Sequence, residues 1–186
     1  MQFFEILRDA WPDLWSGILI TLQLAFGGGA LAFAIAVVLG LMSIARNTVM
    51  NVASRIVVEF FRGTSLVVQL FILYYVFPQI GLALEPIAAG VIALGLNYGA
   101  YGAEVVRGSL NAVPKGQWET TTALSMPWTT KMRRIIWPQA WALMLPGFNN
   151  LQVMLVKGTA VAFIIGLYDL TREIDELRKD NSNIWI

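Results

Sequence analysis

The sequence contains no cysteine and no histidine, and it carries little charge of either sign. Without cysteine there are no disulfides, no thiolate metal sites and no thiol nucleophile. Without histidine the side chain best suited to acid–base catalysis near neutral pH is gone. Only 13% of the residues are charged, where a soluble domain has about 25%. The formal net charge is +1, so bulk electrostatics give no case for a nucleic-acid partner. A phosphate-cradling loop, G-x-x-x-x-G-K-[ST], is also missing. Lys115, Lys131, Lys157 and Lys179 each follow a residue other than glycine. A signal peptide would open with a basic stretch ahead of an apolar run. Here "MQFFEILRDAWPDLW" mixes Glu5, Arg8, Asp9 and Asp13 with Trp11 and Trp15. It reads as an interfacial lead-in over residues 1–15, with tryptophans suited to a membrane boundary.

What is present is apolar surface, 57% of the residues being hydrophobic. A membrane-crossing helix needs about 20 mostly apolar residues. Uncharged runs of that kind lie at Gly17–Ala45, Gly63–Leu84, Pro86–Ala103 and Ile135–Val156, the last extended past Lys157 by Gly158–Tyr168. The expected fold is therefore all-α, a polytopic helix bundle in one domain over residues 1–186 with four spans visible. The closing "NIWI" resembles the start of a further apolar run, so a fifth span is expected to be missing at the C-terminus. Arg46, Arg55 and Arg62 lie between the first two runs, and Arg107, Lys115, Lys131, Arg133 and Arg134 between the last two. Positive-inside bias makes these segments cytoplasmic. "PQIGLALEP" has no Lys or Arg, and Asp169–Asn183 sets Arg172, Arg178 and Lys179 against Asp169, Glu173, Asp175, Glu176 and Asp180. Both face outward on this rule, and so does the N-terminus.

Within the first span, Ala25, Gly29, Ala32, Ala36 and Gly40 recur at spacings of three and four, a pattern that lets helices approach closely. In the third span Asn97, Tyr101 and Glu104 fall at i, i+4 and i+7 on one helix face. Ionisable groups in a bilayer usually face a bundle interior or a watery cavity, which makes the three candidates for a substrate pathway. For Glu104 an ion pair with Arg107 at i+3, or a helix-dipole role, stands beside ligand contact. The fourth span reads "LPGFNNLQVMLVKGT". Pro146–Gly147 is expected to kink or break it, and polar groups beside a broken helix point to a transport site. Asn149, Asn150, Gln152 and Lys157 join the candidate pathway on that ground, with Lys157 alternatively snorkelling or pairing with Glu104.

Between the third and fourth spans runs "VPKGQWETTTALSMPWTTKMRRIIWPQA". A helix is expected to begin near Pro114 and to turn at "SMP". A second, basic helix is expected to run on to Trp137–Pro138. The first helix has no Lys or Arg over Gln117–Met126 and carries Glu119; helices that lie on lipid are usually basic. Partner docking is the reading for the first helix, interface seating for the second.

"GQWETTTALSM…RRIIWPQA" resembles the EAA loop of ATP-binding-cassette (ABC) importer permeases. Glu119 matches the acid, Thr120 and Thr121 replace the two alanines, Ser125 stands where glycine is usual, and Trp137–Pro138 replaces Leu-Pro. "EFFRGTSLVVQLFILYY", "LNYGAYGAEVVRG" and "VPKGQWE" are similar to the polar amino-acid uptake subgroup of histidine- and glutamine-permease type. The resemblance implies an inner-membrane, multi-pass permease with its N-terminus outside and a cytoplasmic EAA coupling loop at 108–140. It implies coupling helices that dock an ATPase through Gly116, Glu119, Thr120, Thr121, Ala123, Leu124, Ser125 and Met126. The partners it implies are two ATPase subunits, a second permease subunit, a periplasmic or lipid-anchored binding protein, and membrane lipid. ATP and magnesium then belong to the ATPase, and no cofactor is expected on this chain. Members of the subgroup that import cationic amino acids carry acids where this chain has Leu151 and Gly158. A buried cation needs a counter-charge, so a zwitterionic or neutral solute is expected. "EFFRGTS", "LMLP" and "KGTA" most resemble ectoine and hydroxyectoine permease subunits.

Three rival readings differ in class, one of them a non-transporting assembly or signalling subunit that would co-purify with an ATPase without moving solute. An ion-gradient-driven transporter or channel would use Glu104 and Lys157 as a relay, but would give the cytoplasmic insert no purpose. A membrane enzyme would have only the same two residues for acid–base work.

Overall fold

The computed structural model describes Arg8, residues 10–45 and residues 47–180. Most of the lead-in and the "NIWI" tail therefore lie outside the described residues. Among the described residues the chain is all-helical, with no strand. Helix α1 spans Trp11–Ser43, α2 Thr48–Gly63, α3 Leu66–Phe71, α4 Pro86–Ala112, α5 Lys115–Ala123, α6 Trp128–Lys131, α7 Trp137–Gly158 and α8 Leu170–Asp180. α3 runs on through a π-turn (Ile72–Val76) into a 3-10 turn (Phe77–Ile80). Another π-turn (Met132–Ile136) joins α6 to α7, and a 3-10 segment (Thr159–Ile165) follows α7.

Two helical stretches, Trp11–Ser43 and Trp128–Ile165, are long and apolar enough to cross a membrane, and Thr48–Gly63 with Leu66–Ile80 makes a third if that broken pair is one span. α4 has 27 residues, or about 40 Å of helix against about 30 Å of hydrocarbon. Its length suffices, but Asn97, Tyr98, Tyr101 and several glycines dilute its apolar character. Trp11 and Trp15 both stand exposed on the first turns of α1, so the helix already begins within the lead-in.

Pro146 does not break α7, which continues through it as helix. Pro146 lacks the N–H that would reach Ala142, and a proline inside a helix costs that bond. The adjoining Gly147 lies against Val105, whose Cγ1 would be 2.6 Å from an added Cβ, so packing holds the helix through the weak point. The second insert helix does not stop at Trp137–Pro138 either. The N–H of Trp137 bonds to the carbonyl of Met132, and this wider π-turn comes just where the Pro138 ring would crowd a regular helix.

The chain forms two compact units. One comprises Ala32–Gly63 and Leu96–Val153. Its core is Ala36, Val106, Leu110, Val113, Met132, Ile136, Ala140 and Met144. Here the small residues of α1 do the packing their spacing suggests. An added Cβ at Gly40 would lie 2.5 Å from Val106, and one at Gly102 2.6 Å from the Cβ of Ala36. Ser54, fully buried, donates to the Leu39 carbonyl at 2.9 Å, and the Asn51 amide donates to the Ser43 carbonyl at the end of α1.

The other unit comprises Met1–Leu31, Thr64–Gly95 and Met154–Ile186. Leu24, Leu70, Ala89, Ala93, Leu94, Leu155 and Ile165 are buried there. Tyr75 donates to the Ile164 carbonyl at 3.0 Å. Asp169, read from the sequence only as one of the loop acids, is buried and caps α8: its Oδ1 accepts from the Arg172 N–H at 3.1 Å. The Leu170 N–H donates to the Thr21 hydroxyl at 3.1 Å. Two of the orphan donors at the start of α8 are thereby satisfied.

Candidate functional site: a polar clasp and a helical insert

The face of α4 that carries Asn97, Tyr101 and Glu104 is turned to the last turn of α2. A helix ends with carbonyls that have no partner within it. The Asn97 amide donates to the Phe61 carbonyl at 3.2 Å, and the Tyr101 hydroxyl reaches the Arg62 carbonyl at 3.4 Å. Glu104 takes both ends of the Arg107 guanidinium, with Nη2 at 2.5 Å and Nε at 3.2 Å. Arg62 lies 3.9 Å from the same carboxylate and 5.3 Å from the centre of the Tyr101 ring. Asn97 is buried, whereas the side chains of Arg62 and Glu104 keep 40% and 31% of their exposure. One carboxylate thus faces two guanidinium groups, and the cluster is net positive. Chemically the arrangement can hold the end of α2 in place and present a partly exposed cation.

Arg62 is the residue that sequence reasoning used only for topology. The signal available was its place immediately before Gly63, where a helix ends and a basic side chain is favoured. The remaining candidates stand elsewhere. Asn149, Asn150 and Gln152 are exposed on α7, and Lys157 is exposed near its end. Among the described residues no group of His, Cys, Asp or Glu is placed to hold a metal ion.

The second feature is the insert. α5 starts after Pro114 and ends in a turn whose bonds are specific: Ser125 N–H to the Thr122 carbonyl at 2.9 Å, and Met126 N–H to the Thr121 carbonyl at 3.1 Å. This is the Schellman pattern, which wants a left-handed residue at its centre. Ser125 supplies it, with φ +50°. Thr121 is buried and its hydroxyl bonds to the Trp118 carbonyl at 2.8 Å. Trp118 packs against the core. These two hold α5 in place and turn the other face outward. Gly116, Glu119, Thr120, Ala123, Leu124 and Ser125 are exposed, and Met126 partly so. Trp118, Glu119, Thr122 and Ala123 line a shallow depression of about 390 Å³. Lys131 Nζ donates to the Thr122 hydroxyl at 2.9 Å, tying α6 to α5.

The family described as "Binding-protein-dependent transport system inner membrane component" matches residues 32–185. The chain belongs to this family. Among relatives of this membrane component, the probable amino-acid ABC transporter permease protein y4tF of Sinorhizobium fredii is 41% identical, over 100% of this chain and 80% of its own length. The L-cystine transport system permease protein TcyB of Bacillus subtilis is 34% identical, over 95% of this chain and 75% of its own. The fold is similar to that in the crystal structure of an amino acid ABC transporter with histidines. There the TM-score is 0.84 at 31% identity, over 96% of this chain and 84% of that one.

Proposed function

We propose that this chain is the permease subunit of an ATP-driven ABC importer that brings a small zwitterionic solute, an amino acid or ectoine, into the cytoplasm by alternating access. Two ATPase subunits hold ATP and magnesium, and this chain binds no cofactor. A second permease subunit completes the pathway, and a periplasmic or lipid-anchored binding protein delivers the solute. The observation that carries the reading is the insert. An otherwise apolar chain presents a firmly anchored helix, α5, with an outward face of Glu119, Thr120, Ala123 and Leu124 beside a depression of about 390 Å³. An ion-gradient transporter has no use for such a face. The pathway is assigned to Asn97, Tyr101, Glu104, Asn149, Asn150, Gln152 and Lys157, and coupling to α5 and its turn. The amino-acid and cystine names of the relatives support the solute class. Leu151 and Gly158, where acids would serve a cationic solute, favour a zwitterion.

The test is uptake in proteoliposomes that hold the permease, its partner subunits and the binding protein. Labelled ectoine and glutamine are offered in turn, with ATP inside and arginine as competitor. ATP-dependent uptake of either, little affected by arginine, is expected. Uptake driven by an ion gradient without ATP would overturn the importer reading, and strong competition by arginine would overturn the solute class.

A further inference from the structure

One face of the helical run from Trp128 to Gly158 is graded from charge to hydrocarbon. At one end Arg133 and Arg134 are both exposed. Among the described residues no carboxylate pairs with either of them, whereas Arg107 has Glu104 and Lys131 is engaged by Thr122. Next along the run come Trp137 and Trp141, stacked with centroids 6.4 Å apart and planes at 27°. Phe33 meets Trp141 edge-on at 5.9 Å, and Phe148 lies 6.3 Å from it. These contacts make the indoles a fixed shelf. One turn beyond Trp141 on the same face stands Leu145, 51% exposed, before the polar Asn149 and Gln152 are reached.

We infer that this face is a binding site for an anionic glycerophospholipid of the cytoplasmic leaflet, its phosphate held by Arg133 and Arg134 and its chains laid along Trp141 and Leu145. Three physical requirements meet here. Anionic lipid needs cations at headgroup depth, and these two arginines have no internal partner to compete. Indole rings prefer the boundary between headgroup and chain, and the stacked pair stands one turn below the arginines. The acyl chains need apolar surface continuous with that boundary, which Leu145 extends. A water-soluble partner such as an ATPase would satisfy the arginines but not the exposed Trp141 and Leu145 beneath them. The charge lies on the side that positive-inside bias assigns to the cytoplasm, where anionic lipids create a negative surface potential.

The experiment uses the assembled complex, this chain with its partner permease and ATPases, stripped of native lipid in mild detergent. Equal amounts of phosphatidylglycerol and phosphatidylcholine are added, and retained lipid is counted by native mass spectrometry. Each arginine near an anionic surface contributes roughly a fivefold preference. The wild-type complex is therefore expected to favour phosphatidylglycerol by about 25-fold. R133Q/R134Q should bring the ratio near parity, while R133K/R134K keeps most of it. Equal retention by the wild type, or an unchanged ratio in R133Q/R134Q, overturns the site. Displacement of the lipid by an equal concentration of inorganic phosphate would make it a free-anion site instead. Loss of the ATPase from R133Q/R134Q in the same spectra would assign the arginines to a protein partner. Should the double variant not assemble, wild-type tryptophan emission decides the matter. Brominated phosphatidylglycerol must quench it at lower mole fraction than brominated phosphatidylcholine, and equal quenching overturns the proposal.

Discussion

Ser125 holds a left-handed backbone conformation, φ +50°, at the centre of the turn that ends α5. For an L-residue this conformation costs roughly 1–2 kcal/mol, and glycine removes the steric part. Ser125→Gly is therefore expected to stabilise the insert by about 1 kcal/mol, read as a raised thermal midpoint of the purified complex, and Ser125→Val to lower it. Asn97 is a different kind of residue. Its buried amide donates to the Phe61 carbonyl at 3.2 Å. Asn97→Leu removes that bond, at a cost of about 0.5–1.5 kcal/mol. The thermal midpoint should fall, and uptake with it; an unchanged midpoint would remove the clasp role. The sequence made Asn97, Tyr101 and Glu104 visible as one face because helical periodicity is local. Their partners were not visible. Phe61 and Arg62 contribute backbone carbonyls, which leave no mark in residue type, and they lie 36 and 39 residues away along the chain.

Elements were legible in proportion to how far local rules govern them. α5 begins where proline allows and turns at "SMP", because proline and the turn bonds act over a few residues. Pro146 and Pro138 misled for the same reason: local rules predict a break, while Gly147 packed on Val105 and a π-turn before Pro138 keep the helix going. The break that does occur, between α2 and α3, falls at Thr64–Ser65, two small residues at the start of an otherwise apolar run that reads as one span. The outward face of α5 carries the coupling prediction. Glu119 is exposed beside the depression, so Glu119→Lys reverses a charge on the face proposed to dock the ATPase without touching the core. ATPase co-purification and solute-stimulated ATP hydrolysis are expected to fall several-fold while insertion of the permease is unchanged. Normal yield of the complex with normal stimulation would separate Glu119 from docking.

For the molecule as a whole, apolar runs and the placement of Lys and Arg were enough to read an all-α membrane protein, because the bilayer constrains composition more tightly than water does. The division into two compact units was not readable. One unit draws on two separated segments of the chain and the other on three, so neither appears as a stretch of sequence. The π-turn at Met132–Ile136 has one more outcome at this scale. It lodges a single surplus residue in a helical run: five residues complete there the turn that four complete in an α-helix, so everything from Trp137 onward keeps the angular phase it would have without the surplus. Deleting one residue of the π-turn would leave a regular helix with Ala140 and Met144 still facing the core, whereas deleting one residue further along α7 would turn all that follows by about 100°. The gene can lose one codon in this segment more safely than in the helix after it, and among related permeases the spacing from Ser125 to Pro138 should differ by one residue more readily than the spacing within α7.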